Sequence, residues 1–364
     1  MKNYQDNLEK NIIVKLRQIL SELPPYCKDY FNSLETRTTK NTQLAYAYDL
    51  NVFFNFLLES NPNFKTKKIT LDELNKIDTH DIEEYMNYLK YYSANVKKQD
   101  SSNTVSQTEN TKEVLNSNEG IKRKMSSLRT FFNYLYKNEA ITNDPTSKVL
   151  MPKLRQKAII RLEPDEVAKL LDKVESGELL TKNEQKYHKF TKERDLAIMT
   201  LLLGTGIRVS ECVGIDITDI DFNAGAIRIH RKGGKETLIY YGNEVKDALE
   251  NYINNSRKKI IEEKNLDEQA LFLSIQNKRL NQRSIEKLVK KYATSVTPLK
   301  HITPHKLRST YGTNLYRETG DIYLVAEVLG HNDVNTTKKH YAAIDEDLKK
   351  SARNIVKLRS NTDE

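Results

Sequence analysis

Two cysteines, Cys27 and Cys212, are all the thiol this 364-residue chain contains. They stand far apart, in no metal-ligand or redox spacing, which argues against a disulfide framework, and Cys212 lies on an apolar helical stretch where a buried thiol is the ordinary outcome. Long apolar runs are missing too. No stretch approaches the ~20 residues needed to span a bilayer, and Met1 to Lys10 is too polar for a signal peptide. The expectation is a cytoplasmic protein without membrane insertion. No internal repeat is apparent, and no cofactor is expected.

What is present describes a globular chain: 38% hydrophobic and 30% charged residues, with the signs interspersed. The length favours two domains, each able to bury its own core. A formal net charge of +9 favours polyanionic partners, nucleic acid first, although a basic surface also serves solubility alone.

Helical periodicity opens the chain. Thr39, Thr42, Tyr46, Leu50, Phe53, Phe54 and Leu57 recur at spacings of three and four behind a Thr-rich start suited to capping, predicting a helix from near Thr39. Residues 71 to 91 repeat the pattern, with Asp81 and Glu83 suited to a helix N-terminus, and the first half reads as all-helical. Between Tyr92 and Gly120 the chain is rich in Ser, Asn, Thr, Lys and Gln, and reads as a long flexible loop or insertion. Helix returns over Ile121 to Tyr136 and stops at the Asn143, Asp144, Pro145 turn. Residues 1–150 thus form an N-terminal helical domain. The cation-bearing segment 151–161 is a linker, either following a nucleic-acid backbone or simply solvated, and 162–364 is a second domain.

In that second domain, Pro164, Asp165 and Glu166 start a helix that runs to about Val174. A second helix spans Arg194 to Leu203 and ends at Gly204, Thr205, Gly206. Alternation from Ala226 to His230 and from Thr237 to Tyr240, around Gly233 and Gly234, marks a hairpin and the only convincing β signal. From Glu244 onward the chain reads as helix, broken near Asn281, Pro298, Pro304 and Gly330. The fold class is therefore mainly α with a small β-hairpin or sheet.

Four blocks carry chemistry. Arg208 follows the glycine turn, with Glu211 three residues on. An arginine fork there holds two non-bridging phosphate oxygens and Glu211 can brace it, although Arg-Glu pairs at this spacing are common on helix surfaces. Lys232 ends the first hairpin strand; it can enter a DNA minor groove and protonate a leaving 5′ oxygen where the site depresses its pKa, or be an ordinary solvated turn lysine. Pro304 starts a helix that puts His305 and Arg308 on one face, able to touch one phosphate. A His301–His305 metal pair is the competing reading, but no Cys, Asp or Glu stands nearby at ligand spacing. Finally, Leu329-Gly330-His331 precedes Thr336, Thr337 and Tyr341. A tyrosine hydroxyl with pKa near ~10 needs nearby cations and a base to act as a nucleophile, and the four blocks supply both. Tyr311, Tyr316 and Tyr323 fall within apolar helical rhythm and read as core or interface.

Together and in this order, the blocks resemble the tyrosine recombinase and integrase family: an arginine after a glycine turn, a hairpin lysine, His-x-x-Arg, Leu-Gly-His and a late tyrosine. The resemblance is specific from Arg194 to Tyr341 and extends more loosely to an N-terminal helical domain like the family's core-binding domain. It implies an α+β catalytic domain that, with the first, clamps double-stranded DNA, and a metal- and ATP-independent enzyme that cuts and rejoins DNA through a 3′-phosphotyrosyl link. Arg208 and Arg308 would be phosphate clamps, Lys232 the general acid, His305 the general base, His331 a transition-state donor and Tyr341 the nucleophile. Two departures stand out. Tyr341 lies one residue further from His331 than in many members, with His340 in the shorter register, and Lys235 competes with Lys232.

The length, the extended N-terminus and His340-Tyr341-Ala342-Ala343 are similar to the single-recombinase Xer type of Firmicutes, XerS. That likeness implies resolution of chromosome dimers at a dif-like site, by a homo-tetramer on two paired sites activated by the FtsK translocase. Ile344, Leu348, Ala352, Ile355 and Val356 form an apolar stripe. In the family such a tail docks on a neighbouring protomer; a helix folded on its own domain fits the same stripe. The other functions compatible with these blocks are a phage or transposon integrase, a type IB topoisomerase and a non-catalytic DNA-binding protein.

Overall fold

The computed structural model, described over residues 4–61, 69–96, 110–154, 160–231, 236–266 and 268–330, is mainly helical with two small antiparallel sheets, the fold class implied by the sequence. The chain divides into two compact units, Met1–Gln156 and Lys157–Glu364. Among the described residues, no helix is long and apolar enough to cross a membrane.

The first unit opens with α1 (Tyr4–Glu22) and α2 (Cys27–Ser33), followed by α3 (Lys40–Ser60). The last begins as expected, Thr39 Oγ1 accepting from the Thr42 N–H at 3.4 Å. Ala47, Leu50, Phe53, Phe54 and Leu57 on its inner face are buried in one core with Tyr85, Phe131 and Phe132. Phe53 meets Tyr85 and Phe132 edge-on at 5.0 and 5.7 Å between ring centroids. Each such side chain contributes on the order of 2 kcal/mol by burial. The apolar run over 71–91 folds as two pieces, α4 (Leu71–Leu74) and α5 (Thr79–Tyr88). Thr70 with Glu73 and Asp78 with Asp81 each close a capping box, so the second cap restarts the helix within the run.

Strands β1 (Tyr91–Val96) and β2 (Asn110–Leu115) then pair antiparallel, from Tyr91 opposite Leu115 to Val96 opposite Asn110. This corrects both the reading of residues 92–120 as one flexible loop and the all-helical reading of the first half. In a ribbon only alternate residues need face a core. Here Tyr92, buried and stacked on Tyr88 at 5.2 Å, and Val114 anchor it to the helices despite the polar composition. Next, α6 (Asn118–Lys137) is capped by Ser117, and its Arg123 grips the buried Asp49 of α3 through two bonds of 2.6 and 2.8 Å.

In the second unit α7 (Pro164–Ser176) has proline in its first turn, as expected. Helix α8 (Lys182–Thr205) starts at Lys182 rather than Arg194, because Thr181 and Glu184 form a capping box ahead of a largely polar first half that shows little apolar rhythm. After α9 (Val209–Gly214) come β3 (Ile220–Asp221), β4 (Ala226–His230) and β5 (Glu236–Tyr240), in the order β3-β4-β5. The expected hairpin is present, with Ala226 opposite Tyr240 and His230 opposite Glu236.

Helix α10 (Asn243–Tyr252) continues through a π turn at Ile253–Arg257 into α11 (Lys258–Lys264). The expectation of helix onward from Glu244 fails over 268–280. There Arg257 donates to the Glu268 and Ala270 carbonyls, and isolated bridges join Asp216 to Ala270 and Leu273 to Arg279. These bonds hold the buried Ala270, Leu271, Phe272 and Leu273 in non-helical chain. The described part closes with α12 (Gln282–Val296), α13 (Pro304–Thr319) and α14 (Ile322–Leu329). The buried middle of α8 packs against α10 and α13. The start of the unit is tied to α13 as well: the Leu162 N–H donates to Thr310 Oγ1 at 3.0 Å, and Glu163 pairs with Arg317 at 2.9 Å.

Candidate active site

Helix α8 ends because Gly206 takes a left-handed conformation, φ +62°, its N–H bonded to the Leu202 carbonyl at 3.1 Å. A side chain there would also collide: an added Cβ would lie 2.4 Å from Tyr311 Cδ1 and 3.0 Å from Leu329 Cδ2. The turn places Arg208 as the N-cap of α9. Glu211, buried one turn later, accepts from both ends of Arg208, the backbone N–H at 2.8 Å and Nη1 at 2.8 Å. The Arg208 side chain remains 40% exposed. The i, i+3 pair is therefore a braced cation, anchored inside and presented outside.

On α13, His305 and Arg308 lie three residues apart, as Pro304 at the first turn predicts. His305 is exposed and its carbonyl accepts from Ser309 Oγ at 3.1 Å. Arg308 is buried; Nη1 donates to the Gly206 carbonyl at 2.6 Å and Nη2 to the Leu329 carbonyl. Two carbonyl bonds fix the plane of its guanidinium.

The arginines converge on the end of α14. A helix leaves its last carbonyls without partners and carries the negative end of its dipole there. In α14 the Gly330 N–H serves the Ala326 and Glu327 carbonyls, and three guanidinium groups serve the next three: Arg231 donates to Val328 at 2.8 Å, Arg308 to Leu329 and Arg208 to Gly330 at 3.3 Å. Gly330, φ +61°, has the Arg231 guanidinium where a side chain would be, with Nη1 only 1.8 Å from an added Cβ. Three cations, one just after β4, one capping α9 and one within α13, distant in sequence, thus surround one turn. Burial depresses the pKa of Arg231; Glu211 opposes this and Arg208 adds to it.

Of the six residues singled out by sequence, the structure brings Arg208 and Arg308 onto adjacent carbonyls and puts His305 on the helix of Arg308. Lys232, His331 and Tyr341 lie outside the described residues, as do Lys235 and the apolar stripe beyond Tyr341. Of the three neighbouring tyrosines, Tyr316 is buried and Tyr311 packs on Gly206. Tyr323, in the first turn of α14, is 71% exposed, so of the two readings of it as core or interface the core one fails. Arg231 was not anticipated. The signal was in the strand: Ile227 and Ile229 are buried in β4, and the period of two puts Arg231 on their face.

Residues 160–347 match the phage integrase family. A relative called tyrosine recombinase XerC, from Caldanaerobacter subterraneus subsp. tengcongensis, is 30% identical over 342 residues, 90% of this chain and 86% of the relative. Another XerC, from Thermodesulfovibrio yellowstonii, is 34% identical over 219 residues, 60% of this chain and 69% of the relative. Among solved structures, XerH recombinase in a post-cleavage complex with palindromic difH substrate is similar in fold, with a TM-score of 0.61 and 18% identity across 97% of each chain. The Tn1549 transposon integrase with circular intermediate DNA gives a TM-score of 0.58 at 19% identity, covering 86% of this chain and 94% of that one.

Proposed function

Because the chain belongs to the phage integrase family, we propose that it is a Xer-type site-specific tyrosine recombinase that cuts and rejoins double-stranded DNA through a 3′-phosphotyrosyl intermediate. The observation that carries the reading is the convergence of Arg208 and Arg308 on the Leu329–Gly330 turn. Guanidinium groups held in a fixed plane match the charge that grows on the oxygens of a pentavalent phosphorus.

In the proposed first transfer, Tyr341 Oη attacks the scissile phosphorus and the P–O5′ bond breaks. The tyrosine proton passes to His305, and Lys232 protonates the leaving 5′ oxygen. Arg208 and Arg308 neutralise the non-bridging oxygens, and His331 donates a hydrogen bond to one of them. In the second transfer a 5′ hydroxyl attacks the phosphotyrosyl phosphorus and Tyr341 leaves, with the proton movements reversed. One phosphodiester is exchanged for another through an ester of similar energy, so strands can be exchanged without ATP.

At the finer level, the first unit binds the duplex, four copies assemble on two paired dif-like sites, and a translocase of the FtsK type activates them in chromosome dimer resolution. Supporting this level are the Xer names of the relatives and the difH complex of XerH. The experiment is to trap the covalent adduct and sequence the attached DNA, then offer that sequence as two nicked duplexes. One chromosomal locus and exchanged strands are expected. Cleavage without exchange would point to a topoisomerase, scattered mobile-element ends to an integrase, and an adduct persisting in Tyr341→Phe would reject Tyr341 as nucleophile.

A further inference from the structure

From the three-arginine turn we infer that Arg231 is a positioning residue for phosphoryl transfer, one that fixes the Val328–Gly330 turn against which Arg208 and Arg308 are set. The inference rests on the proposed recombinase chemistry and adds to it a residue outside the six singled out from sequence.

Val328, Leu329 and Gly330 each accept from a different arginine, and of the three Arg231 is the one that follows a strand, the residue after the end of β4. Its guanidinium does more than make one bond. It occupies the place where any side chain at residue 330 would stand, so Gly330 and Arg231 form a matched pair, one absent Cβ against one planar group. Removing the guanidinium leaves a carbonyl at the negative end of α14 unserved and a void over Gly330. The turn would then relax, and with it the carbonyls that orient Arg208 and Arg308. Among the described residues, Arg231 Nη2 has the Val328 carbonyl as its partner while the buried Nε has none, which costs stability. A guanidinium that carries this cost at the edge of the site is better explained by what it positions than by fold stability alone.

The test uses the full chain on the nicked duplex recovered from the trapped adduct, made with either a phosphodiester or a neutral methylphosphonate at the scissile position. Arg231→Ala is expected to bind this DNA within about threefold of the parent and to cleave the phosphodiester about 10²-fold more slowly in a single turnover. On the methylphosphonate, where the arginines have no anionic charge to neutralise, the loss should shrink to less than about tenfold, and Arg231→Lys should recover part of the phosphodiester rate. A merely structural defect slows both linkages equally; that result, or undiminished cleavage of the diester, overturns the inference. Gly330→Ala supplies a second measurement. Its backbone strain is the same with or without Arg231, whereas the collision is not, so the two substitutions should be strongly sub-additive in cleavage rate. Additive losses overturn the matched-pair geometry. If the parent forms no adduct on any duplex, the proposed function fails; if it does and Arg231→Ala matches it, only the role of Arg231 fails.

Discussion

Arg308 donates through Nη1 to the carbonyl of Gly206, 2.6 Å away, joining helix α13 to the turn that ends α8. The same guanidinium reaches Leu329, whose side chain in turn stands against Gly206. The glycine turn, the His-x-x-Arg helix and the Leu329–Gly330 turn are thus one packed unit rather than three separate motifs.

Gly206→Ala should be costly for two separable reasons. The left-handed backbone at φ +62° opposes a Cβ by about 1–2 kcal/mol, and the methyl would press on Tyr311 and Leu329, adding about 1–3 kcal/mol. Urea unfolding of the variant should show a loss within that combined range. A loss below about 1 kcal/mol would mean that Tyr311 yields freely and that the turn is not packed as described.

Glu211→Gln keeps the shape of a side chain that receives two donors, the Arg208 N–H and Arg208 Nη1, each at 2.8 Å. A carboxamide accepts through only one of its two terminal atoms, so one donor must face an NH2 group. Breaking this partly buried charge-assisted contact should cost about 2–3 kcal/mol of stability, and cleavage should slow by about 10²-fold as Arg208 loses its brace. Unfolding curves and single-turnover rates measured on the same preparation check both halves.

Cys27 and Cys212 are fully buried, and burial pushes both thiols well above their ordinary range. A raised pKa in the folded state means that stability is fully present below the unfolded value near ~8.5 and is lost as pH rises toward the folded one. Neither cysteine should react with a thiol-specific disulfide reagent at pH about 8 in the native protein, and both should react after unfolding in urea. Prompt modification of either in the native state would contradict the burial.

The parts of this arrangement differ in how legible they were, for physical reasons. Arg208 with Glu211, and His305 with Arg308, could be read because helical spacing alone sets those pairs. That Arg308 would be buried on the carbonyls of Gly206 and Leu329 could not be read, since backbone partners carry no residue signature. The β1–β2 ribbon was hidden because Tyr92 and Val114 suffice to anchor a strand pair whose other positions are polar. The non-helical chain over 268–280 was hidden because Arg257, through bonds to backbone, decides it. Arg231 lay within a run of cations, Arg231-Lys232-Gly233-Gly234-Lys235, where the strand period rather than composition marked it out.

Replacing Arg308 is the sharpest test of the site, and the buried position complicates it. Arg308→Ala strands two carbonyls and opens a cavity, so a stability loss of about 2–4 kcal/mol is expected before any effect on chemistry. Arg308→Lys fills most of the space and keeps the charge but cannot span both Gly206 and Leu329 in one plane. Both variants should therefore cleave a nicked duplex at least about 10²-fold more slowly than the parent, assayed well below their melting temperatures, while DNA affinity stays within a few-fold because other phosphate contacts dominate it. Arg308→Lys should be the more stable of the two without being much the more active. That ordering separates planar, two-point orientation from charge alone, and parental cleavage by Arg308→Lys would show that a point charge at this position is enough.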